Sequence, residues 1–570
     1  MAKELKDAAG KRIHPYVPEL CEQLRKEEIG RRDFLRTATL LGVSASAAYA
    51  MADKITGQGE GVTRTAQAQT PQKGGRLRSS MRVQRMDDPA TYDWTQMSNQ
   101  TRHILEYLTR TGSDNITRPY LAESWEASDD LKTWTLNLRK DVTWSNGDAF
   151  NADDVVHNFT RWLDPNTGSS NVGLFGGMVE DVDTGEKNED GSAKMAKKMI
   201  DGAIEKVDDH TVRLNLTRSE LAVPENLYNY PTAIVHRRFD EEGGDLSKNP
   251  IGTGPYELVE FQVGERCMLK RRDAAYWGGD VYLDEILYVD HGDDPMAGVS
   301  ALASGQVDHV YDVEVTSIDV VERLPNAVLH QAVTAQTGVA RMRVTEKPFD
   351  DVRVRQAVAA CMDHAKLLEI AYRGRGAAAE NHHVAPIHPE YFQLPTLKPD
   401  IEKAKALLAE AGHSNLTIKI DLGSAEAWHL AAMQGFKEQL APAGITLELN
   451  PMPGASYWDV WDKTPFGFTS WTHRPLGVMV MNLAYRSGVP WNESAYSNPE
   501  FDKALDEAGA ILDVNERRKA MEKVQKIIQD DAVIAQPLWR AIFSAASKNV
   551  MGYKVHPTQY HQFQDVWLAS

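Results

Sequence analysis

Three arginines are the residues of this sequence best suited to hold a small anionic group. Arg474 presents a planar guanidinium whose fork of donors matches a carboxylate or another anion. Arg341 and Arg343 lie two residues apart on a predicted strand, Val339 to Val344, so both side chains are expected on one face. Two arginines on one face are also common as plain surface residues. A ligand pocket and an ordinary charged surface are therefore both open interpretations.

Aromatic residues near Arg474 in the sequence offer walls for such a pocket. Ligand pockets usually combine flat apolar surfaces with a few placed polar groups. The candidate walls are Trp471, Tyr485 and Trp491, followed by Trp458 and Trp461. Some of these rings are expected to belong to the core. Trp471 is the preferred ligand contact, and Trp458 is the least favoured.

Signatures of catalysis are absent from the sequence. It contains no GxSxG nucleophile elbow, no HExxH zinc helix and no GxxxxGK[ST] phosphate loop. Adjacent His382 and His383, with His388 nearby, invite a metal interpretation. Neighbouring side chains on an extended segment point to opposite faces, however, and no Cys or carboxylate cluster completes a tetrahedral site. We therefore expect no enzymatic activity, no bound metal and no cofactor.

Length and charge narrow the class of protein further. The chain has 570 residues and a formal net charge of −18. At roughly 100 to 200 residues per domain, this length predicts two to four domains or lobes. A negative surface repels phosphate backbones, so nucleic acid is not an expected partner. Cys21, Cys267 and Cys361 are too few and too scattered for a disulfide framework or a CxxC metal site.

The scaffold that positions these side chains is predicted to be mixed α/β. Alternating apolar residues predict strands over Trp134 to Leu138 and Thr211 to Leu216. A capped helix is expected to begin at Asn151 and to end at Asp164-Pro165. The same helical spacing recurs over Val352 to Tyr372, Ile401 to Ala411, Ala425 to Leu440 and Phe501 to Asp531. The stretch from Asn166 to Ile200 shows no periodicity and is predicted to be an exposed insertion loop.

Residues 1–68 have the features of an export signal. Arg31-Arg32-Asp33-Phe34-Leu35-Arg36 precedes the uncharged run Thr37 to Ala52, which is too short and too weakly apolar for a membrane-spanning helix. This pattern resembles a twin-arginine signal peptide. Small-x-small cleavage sites end at Ala50 and at Ala68, and the second is preferred. No cysteine follows the run, so we expect a soluble periplasmic protein without a lipid anchor.

Four sequence blocks together resemble one protein family. They are Leu121 to Val156, with Trp125, Trp134 and Trp144; Gly252 to Ile286, with Gly252-Thr253-Gly254-Pro255-Tyr256 and Ala275-Tyr276-Trp277-Gly278-Gly279; Ala301 to Asp308; and Pro348 to Ala357. In this order they resemble the family 5 extracellular solute-binding proteins. That family comprises the dipeptide-, oligopeptide- and nickel-binding components of ABC importers. The resemblance spans nearly all of residues 75–560.

The resemblance implies an α/β fold of the periplasmic binding protein type, with two lobes that close around a ligand. Lobe I would hold residues 75–335 and a C-terminal return over 536–570, with an extra subdomain at about 112–246. Lobe II would hold residues 336–535. Two chain crossings between the lobes would form the hinge.

The resemblance also bears on the ligand. Peptide-binding relatives carry a Trp followed shortly by an acidic residue, which captures the ammonium group of the ligand. The corresponding segment here, Ser470 to Val478, keeps Trp471, lacks an acid and contains Arg474. Relatives usually have uncharged residues where this chain has its other two arginines. The ligand-binding candidates are therefore Trp471, Arg474, Arg341, Arg343, Tyr485 and Trp491.

The predicted function is that of a binding component, which captures a peptide or peptide-like solute and delivers it to an ABC permease in the inner membrane. An acidic opine-like or other carboxylated solute is the alternative that the arginines suggest, and a nickel chelate is the third. An exported enzyme would need a catalytic constellation, and a chaperone would need an exposed apolar surface. The expected partners are the solute, the permease and the twin-arginine export machinery. The protein is expected to be a monomer.

Overall fold

A computed structural model describes residues 14–43, 45–56, 70–187, 193–424 and 426–569. Helices and strands alternate along much of this part of the chain, as the sequence predicts. The helices are Val17–Arg25, Arg31–Leu40, Ala45–Thr56, Thr95–Thr101, Ala152–Trp162, Val223–Asn226, Pro295–Ala303, Ile318–Glu322, Val352–Ala360, His364–Tyr372, Ile401–Glu410, Ala427–Leu440, Gly454–Trp458, Gly477–Ala484, Pro499–Gly509 and Val514–Asp531.

The largest sheet has twelve strands and crosses the whole molecule. Its order is Tyr256–Gln262, Arg266–Arg271, Glu285–Val289, Arg76–Ser80, His309–Val310, Leu538–Ser547, Ala327–Met342, Phe466–Trp471, Leu416–Gly423 and Ile445–Met452. Two short strands attach to its middle, Gly376–Ala378 and Ile534–Ala535. Strand pairs are parallel around Arg76–Ser80 and around Leu416–Gly423, where helices provide the connections.

Two long central strands join the halves of this sheet. Ala327–Met342 pairs along its first part with Leu538–Ser547 and along its last part with Phe466–Trp471. The pairing register shifts between Val333 and Gln336. At this bulge the Thr334 hydroxyl donates to the Arg540 carbonyl at 2.7 Å. The interruption lies close to residues 335 and 536, where the sequence predicts the crossings between lobes.

A smaller antiparallel sheet lies beside the large one. Its order is Ala122–Ala127, Thr133–Leu138, Thr211–Asn215 and Ile204–Asp208. Trp134, Leu136 and Leu138 are all buried, so this alternation confirms the predicted strand. The helix Ala152–Trp162 begins with a capping box built by Asn151 and Asp154, which confirms the predicted cap.

Three predicted elements differ from the structure. The helix predicted over 352–372 is two helices, because Asp363 caps a second helix with its side chain on the Lys366 N–H. The helix predicted over 501–531 is likewise divided, with Asp513 as the second cap. The predicted loop from Asn166 to Ile200 contains the hairpin Val179–Lys187 and Ala193–Met199. Both faces of this hairpin are largely exposed, so its sequence has no reason to alternate.

The N-terminal part of the chain folds as three helices against the body. Its apolar side chains form a cluster with Ile116 and Val514. The earlier candidate cleavage site, at Ala48-Tyr49-Ala50, lies within the helix Ala45–Thr56, and the preferred site at Ala68 lies outside the described residues. Across the described ranges, no helix combines the length and apolar character needed to cross a membrane.

Candidate ligand-binding cleft

A cavity of about 540 Å³ lies between the two halves of the large sheet. One side is built by residues 80–85, 291–295 and 310–312, which lie next to strands of the first half. The other side is built by residues 453–455 and 470–472 of the second half. Clefts of roughly 300 to 1,000 Å³ are typical of sites for small organic ligands. The cavity is therefore large enough for a ligand of a few residues.

Aromatic rings from both sides face this cavity. Trp94 and Trp458 meet edge to face, with their ring centroids 5.2 Å apart. Trp471 and Tyr311 also line the cavity, and both are almost fully buried. These two tryptophans come from opposite sides of the cavity and touch each other. The two sides are therefore closed over the cavity.

Carboxyl groups outnumber guanidinium groups in the lining. Among the described residues, five acidic and three arginine side chains contribute to it: Asp293, Asp294, Asp312, Glu314, Glu426, Arg82, Arg85 and Arg540. The excess of negative charge is concentrated on one wall, around Arg540. The cavity therefore favours a ligand that brings positive charge.

Arg540 is the cation at the centre of that wall. It forms an ion pair with Glu426 and lies 3.5 Å from the carboxylate of Asp312. The side-chain amide of Gln559 donates to the other oxygen of Asp312 at 3.0 Å. Burial raises the pKa of Asp312, while Arg540 opposes that effect. One guanidinium thus serves two carboxylates.

Glu426 is fully satisfied by its surroundings. It accepts hydrogen bonds from the Trp428 indole at 2.7 Å and from the Ser470 hydroxyl at 3.0 Å, in addition to the pair with Arg540. Burial alone would raise its pKa, but Arg540, His429 and these hydrogen bonds outweigh burial and hold the pKa at about 2. Glu426 is therefore a fixed negative charge at neutral pH.

Glu314 forms no ion pair with the described residues, although the charge of Arg540 acts on it from a distance. Its Oε1 accepts the backbone N–H of Ala427 at 3.2 Å, across the cleft. Its Oε2 is buried and has no hydrogen-bond partner among the described residues. Burial, together with the negative charges of Glu426 and Asp312, raises the pKa of Glu314 to about 8. A cationic group placed here would gain an acceptor that the protein leaves open.

Of the six predicted ligand-binding residues, Trp471 alone lines the cavity in the described structure. Trp458, the least favoured of the candidate walls, lines it as well. It ends the strand Phe466–Trp471, and its indole donates to Glu493 at 2.8 Å. The Trp471 ring meets the Trp491 ring edge to face, with their centroids 6.0 Å apart. Trp471 thus lines the cavity, and its contact with a ligand stays a prediction.

Arg341 and Arg343 extend toward one face, as predicted, and contact the protein itself. Arg341 is fully buried, pairs with Glu493 at 3.2 Å and donates to the carbonyls of Thr464 and Trp461. Arg343 donates to the carbonyls of Asp462 and Glu493. Both guanidinium groups hold the 461–464 segment against residue 493. Neither side chain lines the cavity in the described structure.

Arg474, Tyr485 and Trp491 lie deeper in the interface between the two halves. The Arg474 guanidinium lies over the rings of Tyr230, at 5.3 Å, and Trp491, at 5.9 Å. Its Nε and Nη2 are buried and have no hydrogen-bond partner among the described residues. Tyr485 hydrogen-bonds His383 Nδ1 at 2.7 Å. These three residues belong to the walls behind Trp471, and their role toward a ligand stays a prediction.

Sequence reasoning did not single out Asp312, Glu314, Glu426 or Arg540. Glu426 occupies the N-cap position of the helix Ala427–Leu440, where an acidic residue is common for reasons unrelated to ligands. Only the long pairing of central strands brings Arg540 beside it. The paired histidines do not meet at a common point: His382 approaches Gln525 and Glu380, whereas His383 bonds Tyr485. Within the described ranges, no three potential ligands are grouped to hold a metal ion.

A closed cleft between two sheet halves, with aromatic walls and a charged end, defines a solute-binding protein. The model of the family described as bacterial extracellular solute-binding proteins, family 5, middle region, matches residues 117–493. The chain belongs to this family. Its members are substrate-binding proteins of transporters, not enzymes.

Individual relatives agree with this assignment. The chain is 27% identical over 476 residues to the dipeptide-binding protein of Escherichia coli (strain K12), covering 79% of this chain and 85% of the relative. It is 26% identical over 492 residues to the heme-binding protein A of Haemophilus influenzae, covering 80% and 85%. The solved structure of the Escherichia coli murein tripeptide binding protein MppA matches with a TM-score of 0.77 at 19% identity, covering 88% of this chain and 100% of that one. The fold is the predicted two-lobed α/β architecture.

Proposed function

We propose that this chain captures a peptide or peptide-like solute with a free ammonium group in the periplasm and delivers it to an ABC permease of the inner membrane. The observation that carries the proposal is the buried Oε2 of Glu314, which has no hydrogen-bond partner among the described residues. The nearby Arg540 already serves two other carboxylates. A ligand ammonium would supply the missing donors and the missing charge.

The rest of the cavity suits the remainder of such a ligand. Trp94, Trp458 and Trp471 offer flat walls for side chains, and Arg82 and Arg85 line the same cavity. Their guanidinium groups match the carboxylate end of a short peptide. The name of the Escherichia coli relative, a dipeptide-binding protein, supports the same ligand class. In this proposal Glu314 takes the place of the acid that is missing from Ser470 to Val478.

A carboxylated solute is the second candidate, and Arg474 is the observation in its favour. Two nitrogens of this buried guanidinium have no hydrogen-bond partner among the described residues. A carboxylate that reached behind Trp471 would accept from both. In this alternative, Arg474, Tyr485 and Trp491 would be the contacts.

The proposed lobes divide the chain at the central strands. Lobe I holds 75–335 and 536–570, including a subdomain at about 112–246, and lobe II holds 336–535. The shift of register between Val333 and Gln336 supports a hinge at this division. Closure would bring Ala427 of lobe II to Glu314 of lobe I, as the hydrogen bond between them suggests.

Binding and closure can be tested together. We expect a library of di- and tripeptides to contain members that raise the Tm of the protein with increasing concentration, because a ligand that binds only the native state stabilises it. With such a peptide at saturation, small-angle scattering of the chain cleaved after Ala68 should give a smaller radius of gyration than the same chain without peptide. N-acetylated versions of the same peptides are the matched control, since they lack the ammonium group. Equal stabilisation by acetylated peptides would contradict the role of Glu314 and favour the second candidate.

Export through the twin-arginine pathway is part of the proposal. The pair Arg31-Arg32 and the uncharged run Thr37 to Ala52 support it. Changing both arginines to Lys is expected to leave the precursor in the cytoplasm, because the pathway reads the guanidinium pair. Cell fractionation and immunoblotting measure the distribution, and Arg25→Lys serves as a control outside the motif. Normal periplasmic yield of the double variant would contradict the proposed route.

A further inference from the structure

The N-terminal helices touch two surfaces that belong to different proposed lobes. Their apolar core, Leu20, Leu24, Ile29, Phe34 and Leu35, is buried together with Ile116 and Val514 of the body. Ile116 lies in the proposed subdomain of lobe I, and Val514 begins a long helix of lobe II. The segment 14–56 therefore packs across the division between the lobes.

Polar contacts tie the segment to lobe I. The Trp125 indole donates to the Leu40 carbonyl at 3.0 Å, and the Arg36 guanidinium donates to the Asn115 carbonyl at 3.4 Å. The Tyr49 hydroxyl donates to the carboxylate of Asp114 at 3.1 Å. These contacts come from the second and third of the three helices.

A second set of contacts ties the same segment to lobe II. Arg518 pairs with Asp33 at 3.0 Å, and the Asn515 side-chain amide donates to the Glu28 carbonyl at 3.1 Å. Gln23 donates to the carboxylate of Asp513. Separation of the lobes would have to break one of these two sets.

We propose that residues 14–56 act as a clamp that holds the two lobes closed for as long as the segment stays docked. This proposal depends on the proposed function in one respect only, because it assumes that the lobes must open for a ligand to enter or leave. The docked state also covers the export motif, because Phe34, Leu35 and Arg36 are buried and Arg31 is paired with Asp53. Release of the segment would thus free the lobes and expose the motif in one step. A docked precursor would exchange solute slowly, and the released protein would exchange it freely.

Gly42 gives a sharp test of the clamp. Its φ is +85°, and a Cβ atom there would lie 2.4 Å from the Trp125 carbonyl oxygen. Gly42→Ala is therefore expected to weaken docking without changing any residue of the body. Gly30→Ala is the matched control, since a Cβ at Gly30 meets nothing within 4 Å.

Two readouts on the purified, solute-free full chain separate undocking from opening. Trypsin cleavage after the buried Arg36 reports undocking, and deuterium exchange of the Ala427 amide reports opening, because that amide donates across the cleft to Glu314. We expect Gly42→Ala to increase the rate of cleavage after Arg36 and the rate of exchange at Ala427, the latter roughly tenfold or more. Gly30→Ala should match the unmodified chain in both.

The outcomes distinguish the proposal from its failure. Cleavage after Arg36 with unchanged exchange at Ala427 would show that the segment leaves without freeing the lobes, which overturns the clamp. If Gly42→Ala stays uncleaved, Phe34→Asp places a charge in the buried apolar cluster and decides the matter by the same readouts. If that variant also stays uncleaved with Ala427 protected, the contacts described here do not hold the segment, and the clamp is again overturned. Because no solute is present, a wrong ligand assignment would leave these results unaffected.

Discussion

Glu314→Gln is expected to weaken binding of an unmodified peptide by roughly 2 to 5 kcal/mol, the range for removing one partner of a buried charged pair. Glutamine keeps the shape of the side chain and can still accept the Ala427 N–H, so closure should survive. What it loses is the negative charge that would compensate a ligand ammonium. Isothermal titration calorimetry with a peptide selected by thermal shift measures the change.

Asp293→Asn is the matched control for this prediction. Asp293 also lines the cavity, but its side chain is 61% exposed and paired with Arg82 at the rim. Exposed pairs contribute at most about 1 kcal/mol, so binding should change little. An equal loss in both variants would mean that the cavity acts through its overall charge rather than through Glu314.

The same carboxyl group predicts a dependence of affinity on pH. The pKa of Glu314 is about 8 in the unliganded protein, so the group is mostly protonated at lower pH. A bound ammonium would lower this pKa, and binding would then release a proton. Affinity should therefore rise with pH between pH 6 and pH 7.5, by up to roughly tenfold per unit. The Glu314→Gln variant should show a flat profile over this range, and a flat profile in the unmodified protein would contradict the assignment.

Arg540→Ala is expected to lower the free energy of unfolding by roughly 3 to 5 kcal/mol, because it leaves buried carboxylates without their cation. Only 6% of the Arg540 side chain is exposed, and both Glu426 and Asp312 depend on it. Urea denaturation at pH 7 measures the loss. Arg213→Ala, which removes an exposed pair with Glu205, should cost less than about 1 kcal/mol.

The loss in Arg540→Ala should shrink in acid. Glu426 has a folded-state pKa of about 2, below its ordinary value, so its contribution to stability is present above the ordinary pKa and disappears as the pH falls toward 2. The unmodified protein loses this contribution on acidification, whereas the variant has little of it to lose. The two free energies should therefore converge between pH 5 and pH 3. A constant difference over that range would show that packing of the arginine, not its charge, is responsible.

The pattern of apolar residues in the sequence predicts the strands in which buried and exposed side chains alternate. Trp134, Leu136 and Leu138 fill one face of their strand, and this pattern is visible without a structure. The hairpin over 179–199 was missed because both of its faces are exposed and its residues are not sorted by side. The two divided helices were missed because Asp363 and Asp513 cap new helices within a continuous apolar period.

The candidate site was harder to predict, because its residues meet only through long-range pairing. Arg341 and Arg343 were correctly placed on one face, yet their main partner Glu493 lies 152 positions from Arg341 and has no local signature. Glu314 and Glu426 look like ordinary acidic residues in sequence. Burial and the negative charges of Glu426 and Asp312 raise the pKa of Glu314, whereas Arg540, His429 and hydrogen bonds outweigh burial and lower the pKa of Glu426. Residues distant in the sequence supply these partners.

The bulge in the central strands is held largely by side chains. At this point a side chain, Thr334, bonds the Arg540 carbonyl, and the imidazole of His473 accepts the Ala335 N–H at 3.0 Å. Side chains thus bond the backbone groups at the bulge. Such bonds rearrange more readily than the backbone hydrogen bonds between paired strands. Twisting can concentrate there while the ladders on either side stay intact. If the proposed lobes rotate about this division, we expect Thr334 and His473 to influence the range of that rotation.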